Sequence, residues 1–439
     1  MYLERIRLHN IRGFDVLDFP LERDGGGFAG WTVFTGDNGS GKSTLLKTIA
    51  LTLTGTDTAR ALQPSFHRWI RDGKTEASVE IDVVQTAGDD NYVDGGRTPV
   101  SGRFGAKVSI IKGTKEPVLK IDRPTGKAGL KAYETPSRSI WSQDAKGWFS
   151  CGYGPFRRVF GASPEAMRVM VAPTTERFVT MFQEAASLAE VNQWLLKLNH
   201  KKLELKPSET RQLEDIISVL QDDLLPNQIT VDDVDSDGLW LRDRNGVRLA
   251  WSEMSDGYRA ALALVCDILR HLSNAYGPEG LLRRDDDGHL VVARSGVVLI
   301  DEIDAHLHPE WQREIGFWLK RRFPKIQFLV TSHSPLICQA ADSNGLFVLP
   351  EPGSGAKPRQ LSAQEYHIVV ASRPDTILRT AAFGLSETRS PRAVEARASY
   401  ARLKGKERAG GKLSSDEQLQ LGQLSLFVDP NEPTLAEAL

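Results

Sequence analysis

The segment that most restricts this chain is Gly36-Asp37-Asn38-Gly39-Ser40-Gly41-Lys42-Ser43. It matches G-x-x-x-x-G-K-[ST] in full. Before it stands an apolar run, Trp31-Thr32-Val33-Phe34-Thr35; after it, Ser43 to Leu53 carries Leu45, Leu46, Ile49, Ala50 and Leu53 at helical spacing. Strand, glycine loop and helix, in that order, form the setting in which such a loop wraps a phosphate. Backbone N–H groups from Asn38 to Lys42 are expected to converge on a β-phosphate at the helix N-terminus, whose dipole favours an anion. Lys42 is expected to reach the β- and γ-oxygens, and the Ser43 hydroxyl to sit on Mg²⁺. Gly36, Asn38, Gly39, Ser40, Gly41 and Thr44 complete the expected nucleotide-binding set. A chance glycine turn is the competing reading, and the flanking pattern weighs against it.

Composition sets the outer bounds. The chain has 439 residues, 40% apolar and 26% charged, which suits a globular protein of more than one domain. Its 55 basic and 57 acidic residues leave a formal charge of -2, which excludes a polycationic nucleic-acid coat but permits a local basic face. Cys151, Cys266 and Cys338 are far apart and form no CxxC, against both a disulfide framework and a zinc site. The opening Met1-Tyr2-Leu3-Glu4-Arg5-Ile6 has no signal-peptide core, and no apolar run approaches the roughly 18 to 20 residues of a membrane span. A soluble, cytoplasmic protein is the expectation.

Residues 1–8 alternate as a half-buried strand should, and Ala77–Val84 and Val108–Ile111 read as further strands. Residues 86–105 carry five glycines and three aspartates and read as a mobile surface loop. The stretch 155–225 reads as mainly helical, with Ala185–Leu196 apolar at helical spacing. Strands at Ile229–Val234 and Leu239–Leu241 precede a helix from Ser255 to Leu272. Val297-Val298-Leu299-Ile300 is continuous and apolar, the mark of a strand buried on both faces of a parallel sheet. Helix 309–322 and strand Ile326–Thr331 add one β-α-β step. The tail from 385 is polar, with a Gly410-Gly411 break, and reads as a helical hairpin.

Three further segments bear on the phosphate loop. The run Val297–Ile300 delivers Asp301 to a sheet edge, where a metal would lie, and Glu302 follows as a candidate general base. Ser255-Asp256-Gly257-Tyr258-Arg259 opens a helix, and by itself reads as an ordinary serine cap. Phe328–Thr331 ends in Ser332-His333, and His333 is placed to meet a γ-phosphate, although a lone histidine is more often structural.

Taken together and in this order, the four resemble the ABC-type ATPase heads of the SMC, RecF and OLD kinship. Lys42 and Ser43 match the Walker A pair, Asp301 and Glu302 the Walker B pair, and His333 the switch histidine. Ser255 and Gly257 stand in the signature motif. Asp301-Glu302-Ile303-Asp304-Ala305-His306-Leu307-His308-Pro309 looks like the Walker B and D-loop run, and Asn10-Ile11-Arg12-Gly13-Phe14 like the family's opening, which puts Arg12 near the nucleotide. The resemblance implies an α/β fold: a mostly parallel sheet flanked by helices, an antiparallel β subdomain, a helical insertion and a helical tail. It divides the chain into residues 1–85 and 251–380 as the two parts of the ATPase head, 86–250 as insertion and 381–439 as tail. Asp256 and Tyr258 depart from the glycine and glutamine of transporters. Gln85 and Gln183 compete as the Mg²⁺-sensing glutamine.

The resemblance further implies ATP and Mg²⁺ as ligands, and a homodimer in which Ser255 and Gly257 of one subunit cap the γ-phosphate held by Lys42 of the other. No long coiled coil, Toprim acid set or H-N-H cluster is legible, so an effector encoded separately is expected. Cys151-Gly152-Tyr153-Gly154-Pro155-Phe156-Arg157-Arg158 and Glu176-Arg177-Phe178-Val179-Thr180-Met181-Phe182 look like stand-alone ATPases of bacterial anti-phage operons, the Septu type, paired with a nuclease. Two functions stay open: a switch on such a nuclease, docking through 385–439 and the middle insertion, or a RecF-like clamp on DNA. The clamp would use a basic track drawn from Arg157, Arg158, Lys201, Lys202, Lys320, Arg321, Arg322, Lys325, Lys404, Lys406 and Arg408.

Overall fold

The computed structural model describes residues 1–93, 99, 101–121, 134–157, 159, 173–351 and 353–427. They fall into two compact units, Met1–Ile377 and Leu378–Leu439.

The first unit is built on two sheets. One is antiparallel, in the order β2-β1-β4-β5-β6, from Phe14–Pro20, Tyr2–Ile11, Glu76–Val84, Arg103–Ile111 and Val118–Ile121. The other runs β16-β15-β3-β14-β13-β7, from Arg359–Gln360, Leu346–Val348, Gly30–Thr35, Ile326–Thr331, Gly296–Ile300 and Ser150–Tyr153. All its neighbours are parallel except β15 and β16. Strands β3, β13 and β14 are buried along nearly their whole length. Their continuous apolar character has that cause: helices and the second sheet cover both faces. Gln327, fully buried in β14, joins the sheets by bonding Leu3 through both its amide oxygen and its nitrogen (2.7 and 2.8 Å).

Parallel registry is what creates the site. Ile300 lies beside Val330 on one side and Tyr153 on the other, and Val330 beside Val33. The carboxyl ends of β3, β14, β13 and β7 therefore emerge together, and their loops share one edge.

Strand β7 falls within residues 86–250, so that segment also supplies a strand to the main sheet. It also holds β5 and β6 of the antiparallel sheet, the short helices Pro173–Glu176 and Val179–Phe182, the helices Glu190–Leu203 and Pro207–Gln221, and a small sheet β10-β9-β8, from Arg248–Ala250, Gly238–Arg242 and Thr230–Asp235. After that segment, beyond the helix Asp256–Tyr276, β11 (Leu282–Arg284) and β12 (Leu290–Val292) pair as a hairpin. Two expectations need correction. Residues 185–189 precede the helix, which starts at Glu190, because the Ala186 N–H closes a turn on the Gln183 carbonyl. The start of 86–105 is no free loop: Asp90 is buried and accepts from the backbone N–H groups of Trp148 and Thr86 (both 2.7 Å). The expected loop residues 94–98 and 100 lie outside the described residues, as does most of the helical expectation over 158–172.

In the second unit, helices Pro391–Arg408 and Ser415–Leu424 are capped by Ser390 and Ser414 and joined across Gly410-Gly411. Lys406 pairs with Glu417 between them (2.7 Å). The helix Ser415–Leu424 buries none of its residues, and Leu419 and Leu426 are 67% and 86% exposed. No described helix is long and apolar enough to cross a membrane.

Candidate nucleotide site

The loop after β3 enters the helix Lys42–Leu62 through Gly41, whose φ is 97°. Only glycine suits the place on two counts: the left-handed backbone, and a Cβ there would meet the Phe14 ring at 2.6 Å. Lys42 is 5% exposed and donates to the carbonyls of Gly36 (2.8 Å) and Asp37 (2.9 Å). Those oxygens stand where a buried ammonium otherwise needs phosphate oxygens. Burial depresses the Lys42 pKa, and Glu302, Asp301, Asp37 and Asp304 act against that, so the acids face the same spot.

Asp301 ends β13 nearly fully buried, and its carboxylate accepts from the Thr331 hydroxyl at 2.6 Å. The same hydroxyl accepts from the Glu302 N–H (2.7 Å), so one threonine on β14 fixes both acids. Glu302 has φ 45°, a left-handed conformation that costs a non-glycine residue on the order of 1–3 kcal/mol. His333 follows β14 and is half-buried. Burial lowers its pKa, Lys42 lowers it further, and Asp304, Glu302 and Asp37 oppose the shift, which places the imidazole among the same charges. The buried Asp304 Oδ1 and Ser40 Oγ have no hydrogen-bond partner, as groups waiting for a polar ligand would.

Arg12 lies in the β1–β2 turn with φ 46°. Its guanidinium stacks on Trp69 (4.4 Å) and donates to Thr44 (3.1 Å), one residue beyond Ser43. A cavity of about 660 Å³ beside the loop is lined by Phe14, Asp18, Gly39, Ser40, Glu351 and Lys357, among others.

The signature segment is placed apart. Ser255 is exposed at the start of the helix Asp256–Tyr276, and its hydroxyl makes no cap bond. Among the described residues no hydrogen bond links it to Gly36–Ser43. Gly257 backs onto the D-loop, where a Cβ would come within 2.5 Å of the His306 carbonyl oxygen. Tyr258 packs on Trp311 (5.7 Å) and Asp256 pairs with Arg259, so both departures from the transporter pattern have local work. Lower in the same helix, buried Asp267 meets Tyr153 of β7, Arg270 and His271, and Arg270 reaches Glu176.

Of the two glutamines, Gln85 bonds the Asp90 carbonyl beyond the end of β4 that pairs with Tyr2, the opposite end of β1 from Arg12. Gln183 follows Phe182, whose ring lies 5.8 Å from Lys47 in the phosphate-loop helix, and the next residue, Glu184, acts electrostatically on Lys47 together with Asp301.

Several members of the expected basic track have partners within the fold. Arg157 and Arg322 are buried, the first among carbonyls and the second on Asp222. Lys201, Lys320, Lys404 and Lys406 each pair with a carboxylate, and Arg158 lies outside the described residues. The two short motifs pack together: Phe178 sits against Gly152, and the Gly152 N–H donates to the Arg177 carbonyl (2.8 Å). Thr331 and Trp69 were not legible as site residues. A threonine closing the strand next to an Asp-Glu pair is the signal that could have found the first.

A family model described as "AAA domain" matches residues 5–224, and a second, "AAA domain, putative AbiEii toxin, Type IV TA system", matches residues 173–339. "Septu protein PtuA" of Bacillus mycoides is 26% identical over 359 residues, 80% of this chain and 40% of that protein. "Retron Ec83 probable ATPase" of Escherichia coli is 41% identical over 107 residues, 24% of this chain and 18% of that protein. The chain thus spans less than half the length of these relatives. A solved Smc head bound to the C-terminal winged-helix domain of ScpA is 16% identical, with 83% of this chain and 99% of that one covered and a TM-score of 0.47. A match that takes in half of the 439 residues, phosphate loop included, decides the matter: this chain belongs to the AAA-domain family.

Proposed function

We propose that the chain is one half of an ATP-sandwich dimer that works as a switch on a separately encoded effector nuclease in anti-phage defence. The observation that carries this reading is the separation within one chain. Lys42, Asp301, Glu302 and His333 converge at one sheet edge, while exposed Ser255 is bonded to none of the phosphate loop. A second copy, related by a two-fold axis, would bring its Ser255 and Gly257 to the γ-phosphate.

In this mechanism the loop N–H groups and Lys42 hold the β- and γ-phosphates, and Arg12 lies beside the Thr44 end of the loop. The cavity lined by Phe14 and Lys357 offers room for the nucleoside. Ser43 and Asp301 are the hard oxygen donors that suit Mg²⁺, which would neutralise charge on the phosphate oxygens. Glu302 takes the proton of the attacking water, and neutral His333 donates a hydrogen bond to the γ-phosphate. Loss of that phosphate releases the grip of both subunits.

Similarity to the Septu protein supports a defence role, and the polar tail with its exposed Leu419 and Leu426 suits a docking surface. The alternative is a RecF/SMC-like clamp on DNA. Co-purification with the products of neighbouring genes, followed by DNA binding at several salt concentrations with and without ATP, tests the reading. A stable nuclease complex is expected. Tight DNA binding by the lone chain with a steep salt slope would overturn it.

A further inference from the structure

Beyond β7 the chain turns at Gly154-Pro155 and carries Arg157 beneath the acidic turn that follows β13. Arg157 is 5% exposed. Its two terminal nitrogens donate to five backbone carbonyls: Nη1 to Gly154 (3.2 Å) and Asp301 (3.0 Å), Nη2 to Glu302 (3.1 Å), Ile303 (3.3 Å) and Ala305 (3.1 Å). Burial lowers its pKa to about 10, and Asp304, Asp301 and Glu302 oppose the shift, so it stays charged at neutral pH. Among the described residues no carboxylate pairs with it directly. The negative ends of five peptide dipoles take that part.

The turn so held is an unusual one. Glu302 (φ 45°) and His306 (φ 67°) are both left-handed, at the two ends of the carbonyl cluster. Carbonyl oxygens from residues 301, 302, 303 and 305 converge on one point, which they would avoid without a cation between them. Their convergence fixes the peptide planes on both sides of Glu302, and hence the direction of its carboxylate. The next carbonyl, that of His306, is the one against which Gly257 packs.

We propose that Arg157 is a positioning residue for ATP hydrolysis, a clamp that holds Asp301–Ala305 in the strained turn that aims Glu302 at the attacking water. The clamp also seats the D-loop against the signature helix, so the base of one composite site and the cap of the other share a single support. This rests on the assignment of Glu302 as base.

The test uses the full chain with Arg157→Ala and Arg157→Lys, measuring steady-state turnover, affinity for a fluorescent non-hydrolysable ATP analogue, and thermal melting. For Arg157→Ala, kcat falls about 10–100-fold, as when a supporting hydrogen bond behind a reacting group is lost. Affinity for the analogue stays within about twofold. Added guanidinium ion restores part of the turnover to Arg157→Ala and none to Lys42→Ala. Arg157→Lys falls between, since an ammonium lacks the planar fork that reaches several carbonyls. Turnover within about twofold of wild type in both variants overturns the clamp, as does a matched loss of turnover and affinity without guanidinium rescue. Glu302→Gln measured in parallel separates the two claims. If it keeps wild-type turnover the base assignment fails by itself; if it is inactive while Arg157→Ala is fully active, only the clamp fails.

Discussion

Lys42 and Ser255 both stand at the start of a long helix, yet Lys42 is buried and gripped by two loop carbonyls while Ser255 is exposed and caps nothing. Around Lys42 the chain supplies acids and a histidine from the loops of one sheet edge, and the β1–β2 turn brings Arg12 to Thr44 nearby. Around Ser255 it supplies a packed back, with Gly257 on the D-loop and Tyr258 on Trp311, and an open front. In the proposed dimer, the contrast means that one chain holds the phosphate while another copy brings the wall that its hydrolytic site lacks.

Substitutions at the buried end sharpen this contrast most. Lys42→Ala should remove the central counter-charge and lower turnover by about 10²–10³-fold, together with ATP affinity, in a steady-state assay. Glu302→Gln should lower kcat by about 10²–10⁴-fold while nucleotide binding, followed by the fluorescent analogue, is kept. Thr331→Val, similar in shape, strips one hydrogen bond from Asp301 and one from the Glu302 N–H. A loss of about 1–3 kcal/mol in transition-state stabilisation is expected, read as kcat/KM. Arg12→Ala removes the stack on Trp69 and the Thr44 bond, and should weaken ATP binding by about 1 kcal/mol with little change in kcat.

The smallest effect is a proton. Burial and Lys42 hold His333 below its usual value of 6.5, so it is neutral at pH 7 in the free protein. A bound polyphosphate adds negative charge beside it and raises that pKa, so ATP binding near pH 6.5 should take up protons. Calorimetry in buffers of different ionisation enthalpy reads the uptake, and His333→Gln should abolish it. Unchanged uptake in that variant would remove His333 from the site.

Much of this was legible because the chemistry is local. Gly36–Ser43 needs only its own glycines and the helix after it, and Val297–Ile300 announces a buried strand by continuous apolarity. The parts that were not legible depend on registry between distant strands. Nothing near Thr331 says that its hydroxyl reaches across to Asp301, because only the pairing of Ile300 with Val330 brings them together. Arg157 read as one basic residue in a possible DNA track, and only β7 lying beside β13 turns it into a ligand of the D-loop carbonyls. Gln85 follows a strand, but only the antiparallel pairing of β4 with β1 shows that it lies at the end of β1 away from Arg12.

Whether the missing wall comes from a second copy can be tested by mixing two inactive chains, Lys42→Ala and Ser255→Arg. Each alone lacks one half of every composite site. In a one-to-one mixture half of the dimers pair an intact phosphate loop with an intact signature, once each, so about one quarter of wild-type turnover should return. No recovery in a mixture shown to exchange subunits, or full activity of Ser255→Arg alone, would contradict a site completed between chains.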